Sequence, residues 1–474
     1  MKSFKKYIAV LVAAAGLVAP MNAQEFRTSY FMKTSNLRHQ MNPAFLDTPY
    51  ISFLIGGINV GARGNMGVAD FIYPYNKNGY EYTTFMNPDI DANQFLDGLY
   101  KNNVTSAHIN MNLLSVGFRA FHGVNLIELN LRSSTNVRLP YEFFEFAKLA
   151  GQKEHYQLHN IGARSQNYVE LALAHSHKIG DNLTVGGKVK FLFGAAYADL
   201  NAKQLDLTLT GDQWRVQGDV QMKASLMDTQ LIYLTEYNEV TGKEEIVKDK
   251  YGNPRIDGID DFKASAPSFG LAFDFGAQYQ VLDNLNVSAA ITDLGYIGWR
   301  NTHHTSSTGD YLFDGFDNIY ITGGEEGEEH SNSLDNQLER MGDELEEMFM
   351  LYDKGSSKHA KSLAATLNLG AEYTMPFYDK LSVGLLYTSR IAGIHSWHQG
   401  MLSAIVHPAK WFEATVNTSV STTGWAWGAA LSFKAPHFNF YLGSDAFLGK
   451  VSKQFIPLHN TNANVVLGFT FPLK

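Results

Sequence analysis

"SFGLAFDFGAQYQVLDNLNVSAAITD", residues 268–293, decides the fold. Phe269, Leu271, Phe273, Phe275, Ala277 and Tyr279 alternate with Ser268, Gly270, Ala272, Asp274, Gly276 and Gln278. Beyond Leu282–Asn284 the alternation resumes, with Leu285, Val287, Ala289 and Ile291 set against Asn286, Ser288, Ala290 and Thr292. A period of two sends successive side chains to opposite faces, which is the pattern of a strand. Asp283 and Asn284 supply the turn chemistry between the two runs. The stretch is a hairpin with one apolar face and one small or polar face.

The second half of that hairpin recurs. "DNLTVGGKVKF" starts at Asp181 and "DKLSVGLLYTS" at Asp379. The spacing far exceeds the roughly 20–50 residues of a solenoid repeat, so the phrase marks a recurring turn and outgoing strand. Other hairpins use His122-Gly123, "HPAK" at 407–410 and "KAPH" at 434–437. The alternation predicts about 14 strands, near 50–61, 109–121, 124–136, 166–178, 183–198, 268–280, 284–293, 361–376, 380–390, 400–407, 410–421, 425–434, 437–447 and 461–472. Segments 203–210 and 214–224 are expected to form a further hairpin inside a loop. Long connections fall after strands one, three, five and seven, and the even connections are all short. An even strand count with its long loops gathered at one end is the pattern of an outer-membrane barrel. A soluble sandwich has no reason to segregate loop length in that way.

The first residues and the composition agree with export. Lys2, Lys5 and Lys6 precede an apolar run from Ile8 to Val18, and Met21 and Ala23 form a small-residue cleavage pattern. This reads as a signal peptide over 1–23, with a run too short to span a bilayer as a helix. The chain has 41 glycines, 13% aromatic residues and no cysteine. Disulfides, thiolate metal sites and a lipid-modified N-terminal cysteine are thereby excluded. A net charge of −9 argues against a nucleic-acid partner. The expected organisation is a leader at 1–23, a plug at 24–49 and an all-β, transmembrane antiparallel barrel at 50–474, with short helices in long extracellular loops. The expected location is the outer membrane of a Gram-negative bacterium, with outer-membrane lipid as the surrounding partner.

In such a barrel the apolar face meets lipid and the polar face lines the lumen. Alternation places Arg119, Arg132, Lys188 and Lys190 on the inner face, together with Glu128, Glu170, Asp274 and Glu372. Four bases against four acids suit internal ion pairs, or a plug seated among them. Trp425 and Trp427 at the loop end, and Trp411 near a short turn, fit interfacial aromatic girdles. Trp397 belongs to a short loop, where loop packing is the expected role.

Three phrases carry a family resemblance. "SNLRHQMNPAF" at 35–45 resembles the segment ahead of the barrel in the long-chain fatty-acid transporter (FadL-like) superfamily. "GDNLTVGGKVKFLFG" at 180–194 resembles that superfamily's hairpin phrase. "AAITDLGYIGW" at 289–299, with Asp293, Leu294, Gly295 and Trp299, resembles a Bacteroidota branch of unknown function related to the PorV shuttle of type IX secretion. The resemblance implies a plugged 14-stranded barrel that takes up or holds a hydrophobic small molecule. Its plug would centre on Asn42, Pro43, Ala44 and Phe45. It also allows a non-transporting partner in surface or secretion complexes, docking through the outer loops. Superfamily function depends on a kinked strand that opens the wall sideways. Gly56-Gly57 and Gly186-Gly187 are the candidate positions, because glycine within a strand often marks a bend.

No cofactor and no enzymatic activity are expected. His303 and His304, with Asp310, Asp314, Asp317 and His330, match no zinc spacing, and "DGFDN" is not an EF-hand loop. Two helices are expected in the loops. One spans 140–151, from Pro140 to Gly151. The other spans 334–352, with Leu334, Leu338, Met341, Leu345, Met348 and Leu351 on one face.

Overall fold

The computed structural model describes residues 26–77, 80–149, 152–210, 213–227, 230–260, 265–307, 320–322, 351–446 and 463–473. The expected leader, Asp310, Asp314, Asp317, His330 and residues 334–350 of the second expected helix lie outside them. Leu351 and Tyr352, which that helix would include, instead begin a strand, Leu351–Ser362.

Among the described residues, fourteen strands pair in chain order. They are β1 (Tyr50–Gly64), β2 (Asn102–Ala120), β3 (Gly123–Pro140), β4 (His155–Ile179), β5 (Leu183–Thr210), β6 (Ser268–Leu282) and β7 (Leu285–Ser307), followed by β8 (Ala365–Thr374), β9 (Leu381–Ile391), β10 (Trp397–Ala409), β11 (Phe412–Ser421), β12 (Gly424–Lys434), β13 (Asn439–Ser444) and β14 (Ala463–Pro472). The first hairpin read from the sequence is β6–β7, with Leu282 opposite Leu285. β5 pairs with β6 from Gly194↔Ser268 to Leu183↔Tyr279, and β14 pairs back to β1. The sheet therefore closes on itself and leaves no edge, as a wall standing in hydrocarbon must.

Several strands are longer than alternation suggested. Segments 203–210 and 214–224 form the expected hairpin, with Thr210 opposite Gln213, and its first arm is the outer continuation of β5, which runs to Thr210. β7 runs to Ser307, well past the expected end near 293. The eighth strand predicted over 361–376 is β8, and a further strand, Leu351–Ser362, precedes it; both pair with β7. A tilted strand needs about 9–11 residues to cross the hydrocarbon, so the excess stands outside it. The extra length is stabilised by its own core, in which Tyr156, Leu158, Leu205, Leu207, Val220 and Met222 pack with Phe146. Phe146 belongs to α1 (Tyr141–Leu149), the helix expected over 140–151. A second core gathers Met66, Tyr73, Phe85, Phe95 and Phe144 over the long-loop end.

The outer face is an apolar belt. Phe53, Phe275, Leu385 and Val416 are each more than half exposed, and Phe118, Ile127, Leu173, Phe273, Leu369 and Leu402 lie among them. A continuous belt of this kind is far larger than the patches soluble proteins expose and is the lipid-facing surface of a membrane barrel. Trp411, Phe412, Phe433, Phe440 and Phe469 form an aromatic ladder at the short-turn end. Trp425 and Trp427 stack at the opposite end.

Candidate functional site in the barrel lumen

Residues 26–49 lie within the ring of strands. Three short 3-10 turns, Arg27–Ser29, Asn36–Gln40 and Pro43–Phe45, carry the chain across the lumen. Proline presets the last of these turns, and Asn42 caps it by accepting from the Ala44 amide at 3.0 Å. Asn42 Nδ2 donates to Ala277 O of β6 at 3.2 Å, and Asn368 Nδ2 of β8 donates to Met41 O at 3.0 Å. Phe45 packs with Tyr30, Phe31, Met41, Leu386, Met401 and Ile405, while Ala44 is buried against the wall. The wall glycines make this approach possible. A Cβ on Gly186 would overlap the Pro43 backbone, and one on Gly276 would overlap Asn42 Oδ1.

Polar anchors tie the segment to both sides of the barrel. Asp445 accepts from Thr28 N at 2.7 Å and Thr28 Oγ1 at 2.6 Å, and Arg27 lies 3.6 Å from it. Glu413 of β11 accepts from the amides of Lys33 and Thr34 at 3.2 and 2.9 Å. His39 sits 2.8 Å from the Tyr50 hydroxyl and 3.5 Å from Glu128. Arg38 and Asp47 pair with each other, and Arg38 also lies over the Phe45 ring at 4.9 Å.

The inward charges form a buried chain. Lys188 donates to Glu128 at 2.8 Å. Lys190 lies 2.8 Å from Asp274, 2.7 Å from Asp293 and 3.9 Å from Glu170, and Glu170 lies 3.6 Å from Arg132. Glu372 is set apart, 3.3 Å from Lys33 of the inner segment. Arg119 is an exposed residue near the short turn and takes no part in the chain. The "DLGYIGW" residues have separate jobs. Asp293 adopts φ 60° at a register break, and its amide donates to Asp274 at 2.8 Å. Gly295 gives Ala272 room, Leu294 faces outward, and Trp299 is fully buried, stacked on Tyr197 at 5.1 Å. The reading of inward charge overlooked Glu413 and Asp445. Alternation could have found Glu413, which shares its face with buried Thr415, Asn417 and Ser419.

The wall is interrupted at one of the two candidate glycine pairs. Between β1 and β14 the register jumps from Ile51↔Phe471 to Ile58↔Leu467, and between β1 and β2 from Phe53↔Leu114 to Gly57↔Asn112. Gly56-Gly57 falls in this break, whereas Gly186-Gly187 lies in unbroken pairing with β6. Behind the break stand Tyr441, whose hydroxyl donates to Gly56 O, and Leu37 of the inner segment, against which Gly57 packs. Both belong to an apolar cluster with Phe26, Met32, Ala430 and Val466.

Two cavities lie on the long-loop side of the segment. The inner one, about 40 Å³, is bounded by Arg27, Arg63, His108, Gln399 and Asp445. The outer one, about 410 Å³, is bounded by the tops of β1–β3 and by residues 394–397 and 422–423. Trp397, placed by sequence in a short loop, is a buried residue at the start of β10. Arg63 lies 4.0 Å and Arg27 5.0 Å from its ring centroid.

Fold and lumen together define a membrane-spanning β-barrel whose interior is occupied by its own N-terminal segment. The chain belongs to a family of unknown function, DUF5723, whose model matches residues 43–445. No curated protein matches it. Solved structures similar to it include the P. putida toluene transporter TodX, at 8% identity over 92% of this chain and 93% of that one, TM-score 0.40. The Ralstonia pickettii toluene transporter TbuX matches at 9% identity over 92% and 94%, TM-score 0.39. A Pseudomonas aeruginosa FadL homologue matches at 11% identity over 96% and 98%, TM-score 0.36.

Proposed function

We propose that this protein is an outer-membrane barrel that binds or admits a hydrophobic small molecule, with residues 26–49 as its plug. The short turns face the periplasm, and the long loops with their two apolar cores face outside. The observation that carries the reading is the interruption of β1 beside β14. A break in backbone pairing opens a barrel wall to lipid, and such a break is tolerated where protein backs it. Here the backing is Leu37 and Tyr441, so movement of the plug and access through the wall are mechanically one event. An apolar ligand would leave the lumen sideways and avoid crossing the polar charge chain below.

A disulfide tests this directly, because the chain has no cysteine of its own. Leu37→Cys with Gly57→Cys joins the plug to the break. Oxidation should stop uptake of a radiolabelled apolar probe into cells, and reduction should restore it. Uptake that ignores the redox state would exclude the break as the route.

A second reading is a non-transporting partner of surface or secretion complexes. It draws on the outer hairpin Thr235–Asn238 and Lys243–Ile246, which projects Tyr237 and Val240 into solvent. Deleting that hairpin should leave uptake intact under the first reading and abolish complex formation under the second.

A further inference from the structure

The outer cavity has a charge the rest of the molecule does not share. Arg63, Lys101 and Arg138 line it, with His395 beside them, and no Asp or Glu lies among its described lining residues. The whole chain carries −9, so this is local segregation and not a general excess of base. Arg63 and Trp397 are buried, while Tyr100, Lys101 and Asn102 are exposed. The charge therefore runs from an accessible rim to a covered interior. Low-dielectric walls lined with one sign of charge focus the potential and concentrate the opposite ion.

The polar groups are arranged to recognise as well as attract. Arg138 is held in place by two neutral acceptors, Ile394 O at 2.8 Å and Asn102 Oδ1 at 2.7 Å. Its buried Nε has no acceptor, and neither of those partners neutralises its charge. His395 Nε2, also buried and on the cavity lining, likewise has no hydrogen-bond partner. Asn136 and Thr105 on the same lining add an amide and a hydroxyl suited to hydroxyl groups, while Asn65, Ser106 and Thr423 beside them are bonded within the wall. A guanidinium fork matches carboxylate and phosphate oxygens better than any neutral group.

We propose that the outer cavity is a binding site for a small hydrophilic oxyanion, a carboxylate or phosphate carried on a hydroxyl-rich molecule such as a sugar acid. The site is independent of whether the wall break passes an apolar molecule. Arg138 and Lys101 hold the anionic group near the rim, with Arg63 below them. Asn136 and Thr105 take the hydroxyl groups, and the Arg63–Trp397 pair forms the floor against the inner cavity.

Titration calorimetry on the full chain in lipid nanodiscs tests this with three probes: glucuronate, inorganic phosphate and glucose. Saturable heat is expected with at least one of the anions and none with glucose. The relative affinity of glucuronate and phosphate identifies which oxyanion the site prefers. Arg138→Gln should weaken anion binding about tenfold, the loss expected for one hydrogen bond to a charged group. Lys101→Gln, an exposed change that spares the fold, should weaken it about threefold, and the weakening should diminish in high salt. No saturable heat with either anion, equal heat with glucose, or affinity unchanged in both variants would each overturn the proposal. None of these readouts depends on passage of an apolar probe, so failure here and failure of the uptake reading are distinguishable.

Discussion

At the scale of single residues, the contact between segment and wall rests on glycines. Gly186 faces inward under the Pro43 backbone, which cannot yield as a flexible side chain would. Gly187 faces outward, and a Cβ there would meet nothing closer than Asp274 O at 3.9 Å. Gly186→Ala should therefore cost about 1–3 kcal/mol by overpacking, and Gly187→Ala almost nothing, read by urea unfolding in lipid. Lys190 is the other sensitive point, because it lies between Asp274 and Asp293 while approaching Glu170. Lys190→Met leaves buried carboxylates facing one another and should cost about 3–5 kcal/mol. Phe273→Arg places a charge on the lipid face and should cost about 2–4 kcal/mol. Equal tolerance of both would mean that inner and outer faces are misassigned. The faces themselves were legible in the sequence, because a period of two is a local signal. The ion pairs were not. Lys188 meets Glu128 from two strands away, and Lys190 reaches Asp293 where a register break gives that residue a left-handed backbone. Such heights within a barrel depend on stagger between strands, which no single strand encodes.

At the scale of elements, β1 and the turn Gly393–His395 make separate predictions. Residues 54–56 of β1 lie inside the register break, so their amides should exchange with solvent faster than those of 183–193, which pair without interruption on both sides. Equal protection in hydrogen-exchange mass spectrometry would contradict a break in the wall. His395 is pushed down to about 4 from 6.5, first by burial and then by Arg164. The unfolded turn accepts a proton that the folded turn refuses. Its contribution to stability is therefore complete above pH 6.5 and is lost as pH falls toward 4. Exchange protection of 393–396 should fall over that window in the native chain, and His395→Gln should flatten the response. The hairpins were readable because Asp-Asn and Gly turns punctuate them. The outer reach of β5 was not, because Tyr197, Leu205 and Leu207 continue an inward apolar pattern outside the membrane, where they join a loop core. Alternation reports burial and does not distinguish burial under lipid from burial under a loop.

At the scale of the whole molecule, the account depends on what closes the lumen. Among the described residues the wall is a closed ladder whose longest gap in pairing lies in β1, between Ile51 and Ile58 against β14, and the N-terminal segment crosses the space it encloses. That segment was identifiable in the sequence only as a polar stretch with an Asn-Pro turn ahead of the first strand. Its anchors, Glu413 on β11 and Asp445 just past β13, lie 380 and 417 residues further along the chain than the groups they hold. The central claim is that this segment is the obstruction and the wall is not. Removing residues 27–45 should leave a barrel that still folds into lipid, because the ladder of β1–β14 does not pass through those residues. The decisive measurement is the conductance of that deletion variant in planar bilayers beside the intact chain. The account predicts a closed intact protein and stable open steps in the variant. A folded variant with no added conductance would contradict it.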